Sequence, residues 1–471
     1  MSDIIRRQDL KELLGNEKHV TGDVADILPF LTKRTNNINK HFHRMIGEYV
    51  RHITNLRVNE KSISPEILEF ETGKNILSQH IAEQIQFSDG ESKDDFIRFI
   101  DEYLFNQERI NTFHPYLFNF IPIDKSLTNE FGKYASFIKQ TILQDNSSLV
   151  DFFKNKETDD ILTEVIIKNL DILVDVNLNI GNKNEKYQPL LNKLSDLYQE
   201  DLLFLSKHKE YFIQSFPLLT HYYTFMYVCQ LVYNFEQFEK GEMDEVFPFY
   251  FAFEWESITK RRKVADPIQG FKYIQDNEMN LFPHIHTLSQ LSHNEFNKLA
   301  GDTLSFMPYS EIYKSVNNKG HEYAEEFLND LNLWIQDYSN LTWTKVKLPP
   351  VSTTIEEGFR SLFSLLKQGT NSTVSGKYGK NIEDLGSSIF LKKRGSIGYV
   401  FNLQHDFILL LVALSVKEKR IPLNQLFKEL EKRGIALDHY SKQELLNLLE
   451  SHNILEKKSD SGDAQYVKPI L

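Results

Sequence analysis

Chemistry in this chain would have to come from carboxylates, imidazoles or cations. Its 471 residues contain no G-x-S-x-G, H-E-x-x-H or G-x-G-x-x-G pattern. Metal-assisted phosphodiester hydrolysis needs paired hard oxygen ligands and a nearby lysine. Glu254, Glu256 and Lys260 come nearest, with Asp244 and Glu245 upstream. Their spacing, E-x-E-x-x-x-K, departs from the E-x-K arrangement in which alternating strand residues project together. A metal-dependent nuclease of unrecognised pattern therefore stands as the alternative reading, and no catalytic residue is assigned.

Histidines occur as two H-x-H pairs, His41 with His43 and His284 with His286, and His293 follows nine residues after His284. The stretch PHIHTLSQLSH (283–293) around the second pair contains no carboxylate, and Glu295 follows it. Without further fixed ligands these imidazoles read as core or surface residues, and no metal is expected. The stretch GTNSTVSGK (369–377) superficially resembles a phosphate loop. A Walker A loop places four residues between its glycines and a hydroxyl after the lysine. Here six residues intervene and Tyr378 follows Lys377, so nucleotide binding at this stretch is rejected and no cofactor is expected. The single cysteine, Cys229, lies in an apolar run and reads as a small buried residue.

Cations offer the remaining chemistry. Lys392, Lys393 and Arg394 form a compact triplet, and Lys260–Lys263 (KRRK) forms a second run beside Glu254 and Glu256. Intramolecular pairing is the simplest account of the second. The first sits where two short strands turn at Arg394-Gly395-Ser396, within FLKKRGSIGYVFNL (390–403). Phosphate contact is its functional reading, a solvated turn its plain one.

The elements that must position these residues are mostly helices. Residues 48–57, 94–107, 129–143, 158–170, 188–205, 220–238 and 321–338 each space apolar residues three or four apart. Residues 179–186 read as a polar linker. The Pro pair in KLPPVSTT (347–354) marks a break, and GTNSTVSGKYG (369–379) reads as a flexible segment.

Beyond residue 403 three helices are expected, at 406–416, 423–433 and 442–452. Pro422 opens the second, Gly434 ends it, and Ser441 with Glu444 forms a capping box for the third. Short strands at 454–458 and 464–468 flank the turn SDSGD (459–463). This is the winged-helix order. The expected fold is therefore mainly α: a multi-helical N-terminal body with a C-terminal winged-helix-like module of three helices plus a β-hairpin. Its expected parts are a helical domain (1–180), an aromatic-rich helical domain (181–345), a linker helix with the basic hairpin (346–403) and the winged-helix-like domain (404–471).

Charge bears on partners. The chain carries a net charge of -12, but residues 341–471 hold 19 Lys and Arg against 14 Asp and Glu, while the remainder holds 35 against 52. A polyanion is repelled by most of the chain and tolerated by its C-terminal quarter. Candidate DNA contacts are Lys392, Lys393, Arg394, Lys442, Gln443, Lys457 and Lys458, with Asn447 on the same helix as Lys442. Glu444, Glu450, Asp460 and Asp463 oppose them, so the module suits protein contact as well as DNA. The 35 Phe and 21 Tyr suit large cores first and partner contacts second. Apolar runs fall well short of the ~18 residues needed to span a bilayer, so a cytoplasmic protein with no membrane partner and no small-molecule substrate is expected.

The segments FLKKRGSIGYVFNL (390–403), LNQLFKELEKRGI (423–435) and LESHNILEKKSDSGDAQYVKPIL (449–471) resemble the C-terminal region of the DptG (DndG) family, with KKSDSGDAQYVK (457–468) the most specific piece. The family belongs to bacterial DNA phosphorothioation-dependent restriction systems. The resemblance covers roughly the last 80 to 90 residues, and the rest agrees in helical character and length. It implies a non-catalytic subunit acting with DptF-like and DptH-like ATPase partners against DNA that lacks the host's sulfur modification.

Overall fold

The computed structural model describes residues 3–15, 18–59, 76–106, 109–144, 147–176, 187–254, 256, 266, 268–298, 303–341, 346–387, 389–457 and 465–471. It is mainly α, with few and short strands. The chain divides into two compact units, each assembled from separated stretches. The first comprises 1–40, 185–197 and 221–471, and the second 41–184 and 198–220.

The second unit packs around a buried charge cluster and a ring of aromatics. Glu48 lies on the helix Asn37–Thr54 and is 1% exposed. It pairs with Arg51 at 2.9 Å, Arg57 at 2.7 Å and His52 at 3.3 Å. Arg51 also donates to the carbonyls of Asn119 and Ile121, at 3.1 and 2.8 Å. That satisfaction is what lets two charges sit in an apolar interior. Burial alone would raise the Glu48 carboxyl, but the hydrogen bond from His52 and the charges of Arg51 and Arg57 outweigh it and hold it at about 2. Beside the cluster, Phe118, Phe153 and Phe212 pack on Phe216 with centroids 5.1–5.4 Å apart.

The first unit is organised by the C-terminal part of the helix Lys209–Glu236. Tyr222, Tyr223, Phe225, Met226, Tyr227, Cys229, Leu231 and Phe235 are all fully buried. Burial on every side distinguishes a core helix from an amphipathic surface one. Its polar residues find partners: His221 meets the Leu385 carbonyl at 2.6 Å, and Tyr222 donates to the Arg433 carbonyl at 2.5 Å. Gln230 donates to the Phe247 carbonyl and accepts from the Phe247 N–H, at 2.7 and 3.0 Å. This pins the segment that leads into the strand Phe249–Phe251.

The C-terminal module has the winged-helix order. Its helices are His405–Val416, Leu423–Lys432 and His439–Ser451. Its antiparallel sheet is ordered Leu455–Lys457, Gln465–Val467, Ile421–Pro422, with Leu455 opposite Val467 and Val467 opposite Ile421. Gly434 ends the second helix at φ +86°, as its position suggests. An additional strand, Ile435–Leu437, pairs in parallel with Phe249–Phe251.

Two local expectations are corrected. Residues 369–379 are not a flexible segment: after the helix Ile355–Gly369 ends, Ser372–Gly379 forms another. Asn371 caps it by accepting from the Thr373 and Val374 N–H groups, at 2.9 and 3.3 Å. Gly379 serves close packing, since a Cβ there would lie 2.2 Å from the Glu278 carbonyl oxygen. Nor does Ser441 begin a capping box. The third helix starts three residues earlier on Asp438, whose carboxylate accepts from the Ser441 N–H at 2.9 Å. The linker expected at 179–186 lies outside the described residues.

Replacing Glu48 with Ala leaves Arg51 buried without its counter-charge. Loss of about 3–5 kcal/mol is expected by analogy with other broken buried pairs, measured by denaturant unfolding. Because the folded-state carboxyl is depressed below its ordinary 4.5, its contribution is complete above that pH and disappears as the pH falls towards about 2. An unchanged unfolding midpoint in Glu48→Ala would refute the role given to the cluster.

Candidate functional site: the basic hairpin and the winged-helix module

The hairpin forms as its sequence suggests. Strands Leu391–Arg394 and Gly398–Phe401 pair antiparallel, with Leu391 opposite Phe401 and Arg394 opposite Gly398. Gly395 and Gly398 take φ of +43° and +82°, which the tight connection requires. Buried Leu391 and Phe401 anchor its base. Phe401 stacks on Phe251 with centroids 4.6 Å apart and meets Phe271 edge-on at 5.2 Å. Successive strand side chains alternate faces, so Lys392 and Arg394 share one face and Lys393 takes the other. The two lysines are exposed and Arg394 is half-buried. The triplet is thus one patch in sequence and two in space.

Lys392 lines a cleft of about 550 Å³ with Phe253, Leu391, Gln404, His405 and Asp406. The last two open the first helix of the winged-helix module. Backbone also ties the hairpin to the segment that carries Phe253: the Ala252 N–H donates to the Phe401 carbonyl at 2.9 Å, and the Leu403 N–H to the Ala252 carbonyl at 3.0 Å.

In the third helix Ser441, Leu445 and Leu449 form the buried face at four-residue spacing. The Ser441 hydroxyl accepts from the Phe253 N–H at 3.0 Å, tying this helix to the cleft wall. Gln443 and Asn447 are exposed, and amide-to-amide and amide-to-carboxylate bonds of 3.3 Å link Gln443, Asn447 and Glu444. Lys442 is half-buried, with its ammonium 4.7 Å from the Phe427 ring centre. Lys457 lies on the wing strand Leu455–Lys457, and Lys458 lies outside the described residues.

Arg433 was not singled out from sequence and is among the most buried charges, at 1% exposure. It donates to the Glu429 carbonyl at 3.0 Å and the Leu414 carbonyl at 3.4 Å, bridging the first two helices of the module.

The nuclease alternative gains no constellation. Glu256 donates its N–H to the Glu254 carboxylate, and Lys260 falls outside the described residues, as does the whole run 260–263. Glu245 pairs with Lys193 at 2.5 Å. Among the described residues no three His, Cys, Asp or Glu side chains could hold a metal ion together. The histidines of the second H-x-H pair are core residues. His284 contacts Tyr309 and Glu236 at 3.0 and 3.1 Å and stacks on Phe363 at 4.0 Å. Burial lowers His286 to about 3. His293 contacts the Ser289 carbonyl at 2.8 Å. Burial pushes the Cys229 thiol well up, away from the thiolate a nucleophile needs.

A carboxylate cluster that sequence reading missed gathers Glu278, Glu383 and Asp384. Arg34 grips Asp384 through two bonds of 2.5 and 2.6 Å. Glu278 is 4% exposed, and its Oε2 has no hydrogen-bond partner among the described residues. Burial first, and repulsion from Glu383 second, raise this carboxyl to about 8. The cluster is a packing feature: Arg34 holds Asp384, and the Gln275 amide donates to Glu383 at 2.9 Å.

No family model matches the chain, and no curated protein matches it. Among the described residues no helix is long and apolar enough to cross a membrane.

The folded state keeps the Glu278 proton up to about pH 8, whereas the unfolded chain releases it near 4.5. Stability therefore falls with rising pH across that window, by at most about 1.4 kcal/mol per pH unit. Glu278→Gln is expected to raise the melting temperature more at pH 8 than at pH 5. A calorimetric gain that stays flat with pH would contradict a buried protonated Glu278.

Proposed function

We propose that this chain is a non-catalytic, DNA-engaging subunit of a bacterial DNA phosphorothioation-dependent restriction complex, acting in the cytoplasm to scaffold DptF-like and DptH-like ATPase partners. The observation that carries the DNA-engaging part is the C-terminal module. It is a winged helix whose third helix leaves Gln443 and Asn447 on its outer face, joined through Phe253 and Ala252 to a hairpin bearing Lys392, Lys393 and Arg394. Third helices of such modules enter the major groove, and Gln and Asn side chains are suited to reading adenine edges there. Phosphate contacts from the hairpin would position rather than specify. The restriction context rests on the family resemblance of the C-terminal segments. The strongly acidic remainder, 35 basic against 52 acidic residues over 1–340, suits contact with basic protein surfaces over nucleic acid.

Two measurements test the reading. Affinity capture of the tagged protein from its host is expected to recover a large P-loop ATPase and a second NTPase, identified by mass spectrometry. Recovery of the chain alone would count against a stable scaffold. Replacing Lys392, Lys393 and Arg394 together with Glu is expected to weaken duplex binding by the complex. The slope of log affinity against log salt should fall by up to about 3. Unchanged binding at low salt would place the DNA contact elsewhere.

A further inference from the structure

The cleft beside the hairpin has features that a surface for duplex phosphates does not require. At about 550 Å³ it falls within the range of small-ligand pockets, roughly 300–1,000 Å³. One wall is apolar and aromatic. Phe253 is buried and its ring lies 5.2 Å from the exposed His405 ring at a 59° tilt, so the imidazole offers an accessible face over a hydrophobic backing. Facing groups are polar and mixed in charge: Lys392, Gln404 and Asp406.

The walls are held from behind by backbone. Besides the Ala252 and Leu403 bonds, the Asn402 N–H donates to the Phe390 carbonyl at 2.8 Å, and the Phe253 N–H bonds Ser441. A site held in this way loses little freedom on binding.

We propose that this cleft binds one nucleotide unit carrying a single phosphate, either as a free nucleoside monophosphate or as a residue of a single strand. The base packs against the exposed His405 ring, which Phe253 backs, the phosphate faces the Lys392 ammonium, and Asp406 accepts from base or sugar donors. The division of labour follows from charge and shape. An aromatic face serves any base, since every base has a π-surface. One ammonium beside one carboxylate favours a monophosphate and disfavours a triphosphate, whose extra charge Asp406 would repel. The helix His405–Val416 starts at the cleft, and among the described residues no side chain caps it, so its free N–H groups add partial positive charge beside Asp406. The inference rests on the DNA-engaging reading for its single-strand form and on the cleft alone for its free-nucleotide form.

The test uses the full chain with two probes: deoxyadenosine monophosphate, and a short single-stranded oligodeoxyadenylate. Binding is followed by calorimetry and fluorescence anisotropy. Lys392→Ala and His405→Ala alter exposed side chains and are expected to weaken binding by about tenfold each. Lys314→Ala, an exposed lysine on the helix Tyr309–Asn317, removes the same charge elsewhere and should leave affinity unchanged. Binding of both probes, or of either alone, that weakens in Lys392→Ala and His405→Ala supports the cleft and identifies the source. Binding of neither, or equal binding by Lys392→Ala, His405→Ala and the unaltered protein, overturns it. If the cleft fails while the triple glutamate variant still loses duplex binding, the DNA-engaging reading survives. If monophosphate binding depends on His405 while the triple variant holds duplex normally, the cleft stands and that reading falls.

Discussion

A helix segment buried on every side can leave no polar group unanswered, and the first unit depends on how the segment 221–236 meets that demand. Several polar residues on it reach outward and fix something else. His221 holds the Leu385 carbonyl, Tyr222 the Arg433 carbonyl, Gln230 both sides of the Phe247 peptide, and Glu236 meets His284 and Asn280. An unmet donor or acceptor in such a core costs about 1–3 kcal/mol, so these bonds act as addresses as well as ties. Through Tyr222 and Arg433 the winged-helix module is seated at a defined place, and through Gln230 the strand beneath the hairpin is too.

Helices were legible because their periodicity is local. The 3.6-residue pattern marks 321–338, and the helix His321–Ser339 occupies it nearly end to end. The winged-helix order was legible for the same reason, since its turns and helix ends carry Pro422 and Gly434. The helix at Ser372–Gly379 escaped reading because its glycines serve contact. Gly379 exists for the Glu278 backbone more than 90 residues upstream, which composition cannot reveal. Asp438 was passed over because Ser441 followed by Glu444 imitates a cap that tertiary packing puts to another use. Its hydroxyl meets Phe253, far away in the chain.

The candidate site was legible in its charges and illegible in their grouping. Reading Lys392, Lys393 and Arg394 as one patch ignores the pleat, which parts them between two faces. In sequence, Gln404, His405 and Asp406 look like no more than the polar start of an apolar helix. Their role in the cleft depends on Phe253, which the neighbouring Ala252 bridge to Asn402 brings to them. Arg433 looks like one more exposed helix-end cation, and only packing shows it buried between carbonyls.

The parallel pairing of Phe249–Phe251 with Ile435–Leu437 has a kinetic consequence. All three residues of the later strand are buried, and their backbone partners lie far back in the sequence. The closing module therefore cannot be completed by its own stretch of chain. Such long-range closure slows folding, because loop entropy is lost before the contact rewards it. Until the earlier strand arrives, Ile435–Leu437 is a bare apolar edge, the kind of surface that pairs with other chains. Synthesis from the N-terminus makes Phe249–Phe251 before Ile435–Leu437 emerges, so the edge's partner is already present when the edge forms.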